Sequence, residues 1–188
     1  MPMPELPKDL SRLSLAEIAD MVRDKRLPPV DSWSPEKIGH IDMRIARDGS
    51  WFHEGGLIQR ETMVRLFSTI LRREADGRYW LVTPAEKLEI AVEDTPFVAV
   101  EVKSEGQGEN RQLAFRLNTG DLVIAGPEHC LRFDEQNGAP HPLLHVRGGM
   151  DARIGRAAYY ALVDWAMAEE ATPLGLWSGG QFFPMEPA

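Results

Sequence analysis

Apolar positions recur with helical spacing in three segments of the chain. The first follows the capping-box pattern Ser14-Leu15-Ala16-Glu17 and predicts a helix over about 14 to 25, which Pro28-Pro29 cannot continue. The second stripe runs from Met63 to Leu71. The third runs from Met150 to about Glu170. The sequence therefore predicts three amphipathic helices.

Between these helices the apolar residues alternate with polar ones, which is typical of half-buried strands. Ile41, Met43 and Ile45 form such a run, and "RDGS" supplies a hairpin turn before the return strand at Trp51. From Lys87 onward short alternating runs follow one another between turn-rich segments. These runs are KLEIAVE, FVAVEV, QLAFRL, DLVIA, CLRF, HPLLHV and the closing LGLWSGGQFFPM. They predict a mostly antiparallel sheet.

Two Gly-Gly pairs divide the chain into similar parts. Gly55-Gly56 and Gly148-Gly149 each precede an amphipathic stripe, and an arginine follows four positions later, at Arg60 and Arg153. Each part can be drawn as strand, Gly-Gly, helix and strand. The sequence thus predicts an α+β protein with a duplicated strand–helix–strand motif, in two halves over 14–84 and 85–188.

The Gly-Gly pairs have two interpretations. Glycines at a helix N-terminus let backbone N–H groups approach an anion, and a nearby arginine adds a bidentate grip on phosphate or carboxylate. Alternatively, glycine only provides the backbone conformation that a strand-to-helix joint needs. Neither pair matches a phosphate-binding Walker loop or a dinucleotide fingerprint.

Composition narrows the class of partner and the compartment. The 188 residues are 43% hydrophobic and carry a net charge of −8, with a pI near 5.2, which argues against nucleic-acid binding. Cys130 is the single cysteine, so no internal disulfide forms and the cytoplasm is the expected compartment. We predict neither a signal peptide nor a membrane-spanning segment, and no membrane partner.

No catalytic pattern stands out. The sequence has no G-x-S-x-G elbow, no H-E-x-x-H helix and no metal-ligand spacing, so we predict no catalytic residue, metal or cofactor. His53 is expected to be a polar or ligand-facing residue on a strand. Cys130, beside Leu131 and Phe133, is expected to be a small buried hydrophobe.

Two stretches resemble the bacterial domain of unknown function 1285 family. They are DGSWFHEGGLIQRETMVRLFSTILRREADGRYWLVTPAEKLEIAVEDTPF and GGMDARIGRAAYYALVDWA, and the likeness covers nearly the whole chain beyond the first helix. The family has no established activity. The resemblance implies a two-part α+β protein with a duplicated motif and a C-terminal half superficially like pleckstrin-homology folds. It also implies a site for a small, nucleotide-like ligand at the junction of the halves, and a role in signalling.

The predicted ligand site is drawn from the residues that match the family's pattern. They are Asp48, Trp51, His53, Arg60, Thr83, Glu86, Lys87 and Arg153. Our leading hypothesis is a noncatalytic sensor of a small anionic ligand. Its positive charge comes from Arg60, Lys87 and Arg153, its hydrogen bonds from His53 and Thr83, and its aromatic surface from Trp51.

Two alternatives remain open. One is a hydrolase or transferase with His53 as base and Glu86 or Asp48 nearby. The other is a protein-interaction adaptor that docks partners through strand edges or the aromatic segment LWSGGQFFPM. The sequence leaves the oligomeric state open.

Overall fold

The structure, a computed structural model, describes residues 9–186 of the chain. These residues form two compact units. The N-terminal unit comprises Arg26–Phe97 together with Gly148–Met150. The described part of the C-terminal unit comprises residues 9–25, Val98–Arg147 and residues 151–186. The mixture of helices and sheets confirms the predicted α+β class.

The N-terminal unit is built on a six-stranded sheet and one helix. Its strands are β1 (Lys37–Ile45), β2 (Trp51–His53), β3 (Gly56–Leu57), β4 (Leu71–Arg73), β5 (Tyr79–Val82) and β6 (Glu86–Val92), and its helix is α2 (Glu61–Thr69). The strand order is β3-β2-β1-β6-β5-β4. All pairs are antiparallel except β1 with β6, which is parallel. The predicted alternation in β1 is confirmed at its end, where Met43 and Ile45 are buried.

Helix α2 is shorter than its apolar stripe suggests. Arg60 is its N-cap residue and Thr69 its last residue, so Leu71 belongs to β4 instead. Leu71 is fully buried, whereas Leu66 on the helix is 54% exposed. The stripe continued past the helix because a buried strand residue and a buried helix residue are equally apolar, and spacing alone does not separate them.

The C-terminal unit contains a second six-stranded sheet. Its strands are β7 (Phe97–Glu105), β8 (Gln112–Leu117), β9 (Leu122–Ile124), β10 (Leu131–Gln136), β11 (Ala139–Arg147) and β12 (Met150–Ile154). The order is β10-β11-β12-β7-β8-β9. Helix α3 (Arg156–Ala168) and the hairpin of β13 (Gly175–Ser178) and β14 (Gln181–Pro184) follow.

The third helical stripe is predicted to begin at Met150, but this start is wrong. Met150–Ile154 form β12, in which every second residue is buried, and α3 begins only at Arg156. Gly155 separates the two elements, and its N–H donates to the carbonyl of Ala99 at 2.9 Å. Met150 and Ile154 are four positions apart, a spacing that serves one face of a helix and one face of a strand equally well.

The first helix, α1 (Leu15–Asp24), is confirmed with its capping box. The Ser14 hydroxyl accepts from the Glu17 N–H at 3.2 Å, and the Glu17 carboxylate accepts from the Ser14 N–H at 2.7 Å. Its buried face, Leu15 and Ile18, packs against Ala114 and Leu122 of the second sheet. Helix α1 therefore belongs to the C-terminal unit, although the predicted halves assign it to the first.

The duplication is confirmed in the two sheets. Each consists of two runs of three consecutive strands, and the first strand of the first run lies beside the last strand of the second. Thus β1 neighbours β6 in one sheet and β7 neighbours β12 in the other. The pleckstrin-homology-like character of the C-terminal half stays a prediction.

The Gly-Gly pairs do not mark this duplication. Gly55 lies in the turn between β2 and β3 of the first sheet and Gly56 begins β3, whereas Gly148-Gly149 form the turn between β11 and β12 of the second. Both pairs lie at hairpin turns, where Gly55, Gly148 and Gly149 have positive φ. They are not at helix starts, because β3 extends beyond Gly56 to Leu57 before α2, and the whole of β12 separates Gly149 from α3. The anion-binding interpretation of these glycines therefore loses its geometric basis.

The division between the units differs from the predicted boundary after residue 84. Strand β6 starts at Glu86 and pairs with both β1 and β5, so it lies in the middle of the first sheet. The division comes between Phe97 and Val98, two consecutive residues of β7. The short alternating runs that begin at Lys87 therefore mark the start of a strand within the N-terminal unit, not the start of a new unit.

Candidate functional site

The predicted ligand residues are divided between the two units. Trp51, His53, Arg60, Thr83 and Lys87 belong to the N-terminal unit. Arg153 belongs to the C-terminal unit, where it is half-buried on β12. A shared site for Arg60 and Arg153 stays a prediction.

Trp51 occupies the core of the N-terminal unit. It is 1% exposed, and its indole ring stacks on Phe67 of α2 with ring centroids 6.3 Å apart. The aromatic surface that the sequence assigns to a ligand is therefore covered by the protein itself. This placement ties α2 to β2 through aromatic packing.

Lys87 is held by a carboxylate and an aromatic ring. Its ammonium nitrogen lies 2.7 Å from Glu74 Oε1 and 4.3 Å from the centroid of the Trp80 ring. Arg72 donates to the same Glu74 oxygen at 2.7 Å and to the carbonyls of Val30 and Trp33. The hydrogen bonds from Lys87 and then Arg72 hold the pKa of Glu74 below its usual value. Lys87 thus offers little free charge to an anion.

Replacing Lys87 tests this arrangement. In Lys87→Met we expect the pKa of Glu74 to rise, because the largest contribution that lowers it is removed while Arg72 remains. A pKa lowered by folding stabilises the protein above the unfolded carboxyl pKa of about 4.3, and this stability is lost as the pH falls through the folded value. The variant should therefore show a weaker loss of stability on acidification, measured by NMR titration of Glu carboxyl carbons and urea unfolding.

Lys37→Met is the matched control for this prediction. Lys37 also pairs with a glutamate, Glu86, at 2.7 Å, but its side chain is 74% exposed. Lys37 is not among the groups that lower the pKa of Glu74, so this variant should leave that pKa unchanged. Because exposed pairs contribute about 0–1 kcal/mol, it should also change the stability little. An unshifted Glu74 in Lys87→Met would contradict the described contact.

The remaining predicted polar residues are arranged locally. The Thr83 hydroxyl accepts from the Glu86 N–H and donates to the Glu86 carbonyl, both at 3.2 Å, so it closes the turn before β6. His53 is exposed on β2, and Arg60 is exposed at the start of α2. No described hydrogen bond joins His53 to Arg60.

The carboxylates named for the enzyme alternative have partners of their own. Asp48 accepts from the Ser50 N–H at 2.9 Å within the hairpin turn, and Glu86 pairs with Lys37. The alternative in which His53 acts as a base stays a prediction. The adaptor alternative also stays a prediction, although the aromatic segment folds into the β13–β14 hairpin with Leu176 and Phe183 buried.

A cleft of about 460 Å³ opens in the C-terminal unit. Three segments form it: the connection between β7 and β8, the end of α3, and β13. The lining residues are Gln107, Gly108, Glu109, Arg111, Ala168, Glu169, Ala171 and Trp177. This volume lies within the range typical of small-molecule sites.

Arg111 and Glu169 form a shielded ion pair in the cleft. Their side chains are 7% and 18% exposed. Glu169 Oε1 accepts from Arg111 Nε at 3.1 Å, from Arg111 Nη2 at 2.5 Å and from the Gly108 N–H at 2.9 Å. Arg111 Nη1 also donates to the Ser104 hydroxyl, and the guanidinium lies 5.7 Å from the centroid of the Trp165 ring. The pair therefore fixes the strand connection to the end of α3.

Glu169 is ionised at neutral pH. Its burial acts to raise its pKa, but the hydrogen bonds from Gly108 and Arg111, with the charge of Arg111, outweigh burial and lower it. All hydrogen bonds that the described residues give this carboxylate reach Oε1. Its second oxygen is left to accept from a ligand.

The sequence interpretation missed this cleft. The sequence predicts a turn-rich connection at KSEGQGEN, a helix that ends around Glu170 and a strand that includes Trp177. Arg111 directly follows this glycine-rich connection, but no local pattern there indicates its distant partner Glu169. Within residues 9–186, no group of three or more His, Cys, Asp or Glu side chains is placed to hold a metal.

None of the helices described in residues 9–186 combines the length and apolar character needed to span a bilayer.

Comparisons with known proteins support the two-part architecture. Residues 28–95 match the family model "Domain of unknown function (DUF1285), N-terminal domain", and residues 96–185 match "Protein of unknown function (DUF1285), C-terminal domain". No curated protein matches the sequence.

Two solved structures resemble the chain. A DUF1285 family protein from Silicibacter pomeroyi DSS-3 is 45% identical with a TM-score of 0.80, over 93% of this chain and 96% of that one. A DUF1285 family protein from Shewanella baltica OS155 is 26% identical with a TM-score of 0.53, over 66% of this chain and 91% of that one. Together the two family models match residues 28–185, and the first solved structure is 45% identical over 93% of the chain, so the chain belongs to the DUF1285 family.

Proposed function

We propose that the protein is a noncatalytic small-ligand-binding module and that its site is the cleft between Arg111, Glu169 and Trp177. The observation that carries the proposal is a cleft of ligand size in which the charged residues Arg111 and Glu169 are already paired and held in place. A site with fixed polar groups loses little conformational entropy when a ligand binds. Preorganisation of this kind favours recognition.

The fold gives this site a way to report its occupancy. The cleft joins the end of α3 to the β7–β8 connection, and the hydrogen bonds to Glu169 already link these elements. A bound ligand that contacts both sides would stabilise their joined arrangement. A cytoplasmic role in signalling, in which the bound state is read by a partner, is part of this proposal.

The anionic, nucleotide-like ligand suggested by Arg60, Lys87 and Arg153 remains a candidate within the proposal. Trp177 offers an aromatic wall on which a planar base could stack, and Glu169 can accept from its N–H groups. Arg60, Lys87 and Arg153 do not line this cleft, and Lys87 is paired with Glu74, so the positive charge that the cleft lining offers a phosphate comes from Arg111.

A thermal-shift screen tests the proposal. The panel contains nucleotides, phosphorylated metabolites, amino acids and amines, and at least one compound should raise the Tm by several degrees at saturation. In Trp177→Leu this shift should be lost, because the aromatic wall of the cleft is removed. Each shift is measured against the ligand-free Tm of the same variant, so a change in basal stability does not obscure it.

Tyr160→Leu is the matched control, because Tyr160 is a 57% exposed aromatic residue of α3 that does not line the cleft. It should keep the full ligand-induced shift. If no compound stabilises the wild type, or if the shift survives in Trp177→Leu, the cleft is not the ligand site.

A further inference from the structure

We infer that the cleft selects a small organic cation that carries an ammonium or guanidinium group. This inference rests on the proposed function and specifies the ligand class of the same site. It differs from the anionic class that the arginines suggest, because it follows from the charges that line the cleft itself.

The charge balance of the lining is negative. Glu109 and Glu169 each carry a negative charge, and Arg111 provides the positive charge of the lining. All three nitrogens of the Arg111 guanidinium donate to protein oxygens, on Glu169 and Ser104. An entering anion would therefore meet a cation that is already neutralised and a second carboxylate, Glu109, that is exposed and available.

The cleft also offers a ligand a free hydrogen-bond acceptor on Glu169, whereas the donors of Arg111 are already used by the protein. The protein donors on Glu169 converge on Oε1, which leaves Oε2 as an ionised acceptor in a shielded position. A charged N–H donor forms its strongest hydrogen bonds with a carboxylate. An ammonium or guanidinium group supplies several such donors and compensates the net negative charge.

Trp177 supplies the second element of cation recognition. It is half-buried on β13, and its ring lies 5.6 Å from that of Phe182, which supports one side of the indole. Tryptophan is the aromatic residue that attracts cations best through its ring face. Two carboxylates and an indole that line one cleft thus favour cations over neutral or anionic ligands of the same size.

Isothermal titration calorimetry tests the inference. The cationic probes are agmatine, spermidine and choline, and the anionic probes are ATP and inorganic phosphate. At least one cation should bind to the wild type, while the anions should not. Trp177→Leu should weaken cation binding by about five- to thirtyfold. Glu109→Gln, an isosteric change of an exposed residue, should weaken it by about two- to fivefold.

A control separates the cleft from the general acidity of the protein. Glu128→Gln removes an exposed negative charge from the same unit without altering the cleft lining, and it should leave the affinity unchanged. Cation binding that is equally weakened in Glu128→Gln, or unaffected in both Trp177→Leu and Glu109→Gln, would overturn the inference.

The remaining outcomes distinguish the two claims. If ATP or phosphate binds with an affinity that depends on Trp177, the proposed function stands and the cationic class is overturned. If no probe of either charge binds, the cationic class is overturned, and a thermal-shift panel without a hit overturns the proposed function as well.

Discussion

Trp51→Ala should lower the free energy of unfolding of the N-terminal unit by about 3–5 kcal/mol. The side chain is 1% exposed and stacks on Phe67, so its removal leaves a cavity between β2 and α2. The loss combines the transfer free energy of the indole with the lost packing around the cavity. The effect is measured by urea unfolding, and hydrogen exchange of the amides of β1 and β6 shows that the loss falls in this unit.

Two further variants make this prediction specific. Trp51→Phe should retain most of the stability, because the indole Nε1 has no hydrogen-bond partner among the described residues and the ring packing is largely kept. Leu57→Ala should change stability by less than about 0.5 kcal/mol, since Leu57 is 52% exposed. If Trp51→Ala were as stable as the wild type, Trp51 would not be a core residue, and its predicted role as a ligand surface would regain support.

Local patterns in the sequence were sufficient to predict most individual elements. The capping box located α1, because Ser14 and Glu17 satisfy each other's backbone within four residues. Asp48 and Gly49 located the turn between β1 and β2 for a similar reason. These features depend on neighbours in sequence, so no knowledge of the fold is needed to recognise them.

Long-range pairing could not be predicted in the same way. The parallel pairing of β1 with β6 joins strands separated by four others in the chain, and nothing in either strand specifies its neighbour. The same limit explains the Gly-Gly pairs, since glycine serves hairpin turns and helix starts equally well. Their similar spacing suggested equivalent positions, whereas the strand order shows that they occupy different turns.

The candidate site could not be predicted from the sequence, because it also depends on pairing between distant residues. Arg111 and Glu169 are separated by 58 positions, and each is unremarkable in its own segment. Lys87 and Glu74 are only 13 positions apart, yet their pairing depends on the antiparallel register of β4, β5 and β6. Residue type therefore indicated which side chains carry charge, but the fold decided which of these charges are neutralised.

Arg111→Met should lower the free energy of unfolding of the C-terminal unit by about 2–4 kcal/mol. The substitution leaves the Glu169 carboxylate shielded without its cation, and only the Gly108 N–H remains as a described donor. The expected loss is below that of a fully buried pair, because Glu169 retains some access to water. Arg23→Ala, which removes one partner of an exposed pair with Asp20, should cost less than about 1 kcal/mol.

The pH dependence gives this prediction a second signature. In the wild type the lowered pKa of Glu169 stabilises the fold above the unfolded carboxyl pKa of about 4.3, and this contribution is lost as the pH falls through the folded value. In Arg111→Met burial acts with less opposition and raises the pKa of Glu169, so protonation relieves the unpaired charge. The stability difference between the two proteins should therefore narrow as the pH falls from 7 toward 4.

A double variant separates the ion pair from simple packing. Arg111→Met combined with Glu169→Met removes both charges while keeping side chains of similar length, so it should recover most of the stability lost in Arg111→Met. The cycle is completed by urea unfolding at pH 7 of the wild type, Arg111→Met, Glu169→Met and the double variant. If the double variant is no more stable than Arg111→Met, the loss comes from the aliphatic and aromatic contacts of Arg111, including Trp165, and not from an uncompensated carboxylate.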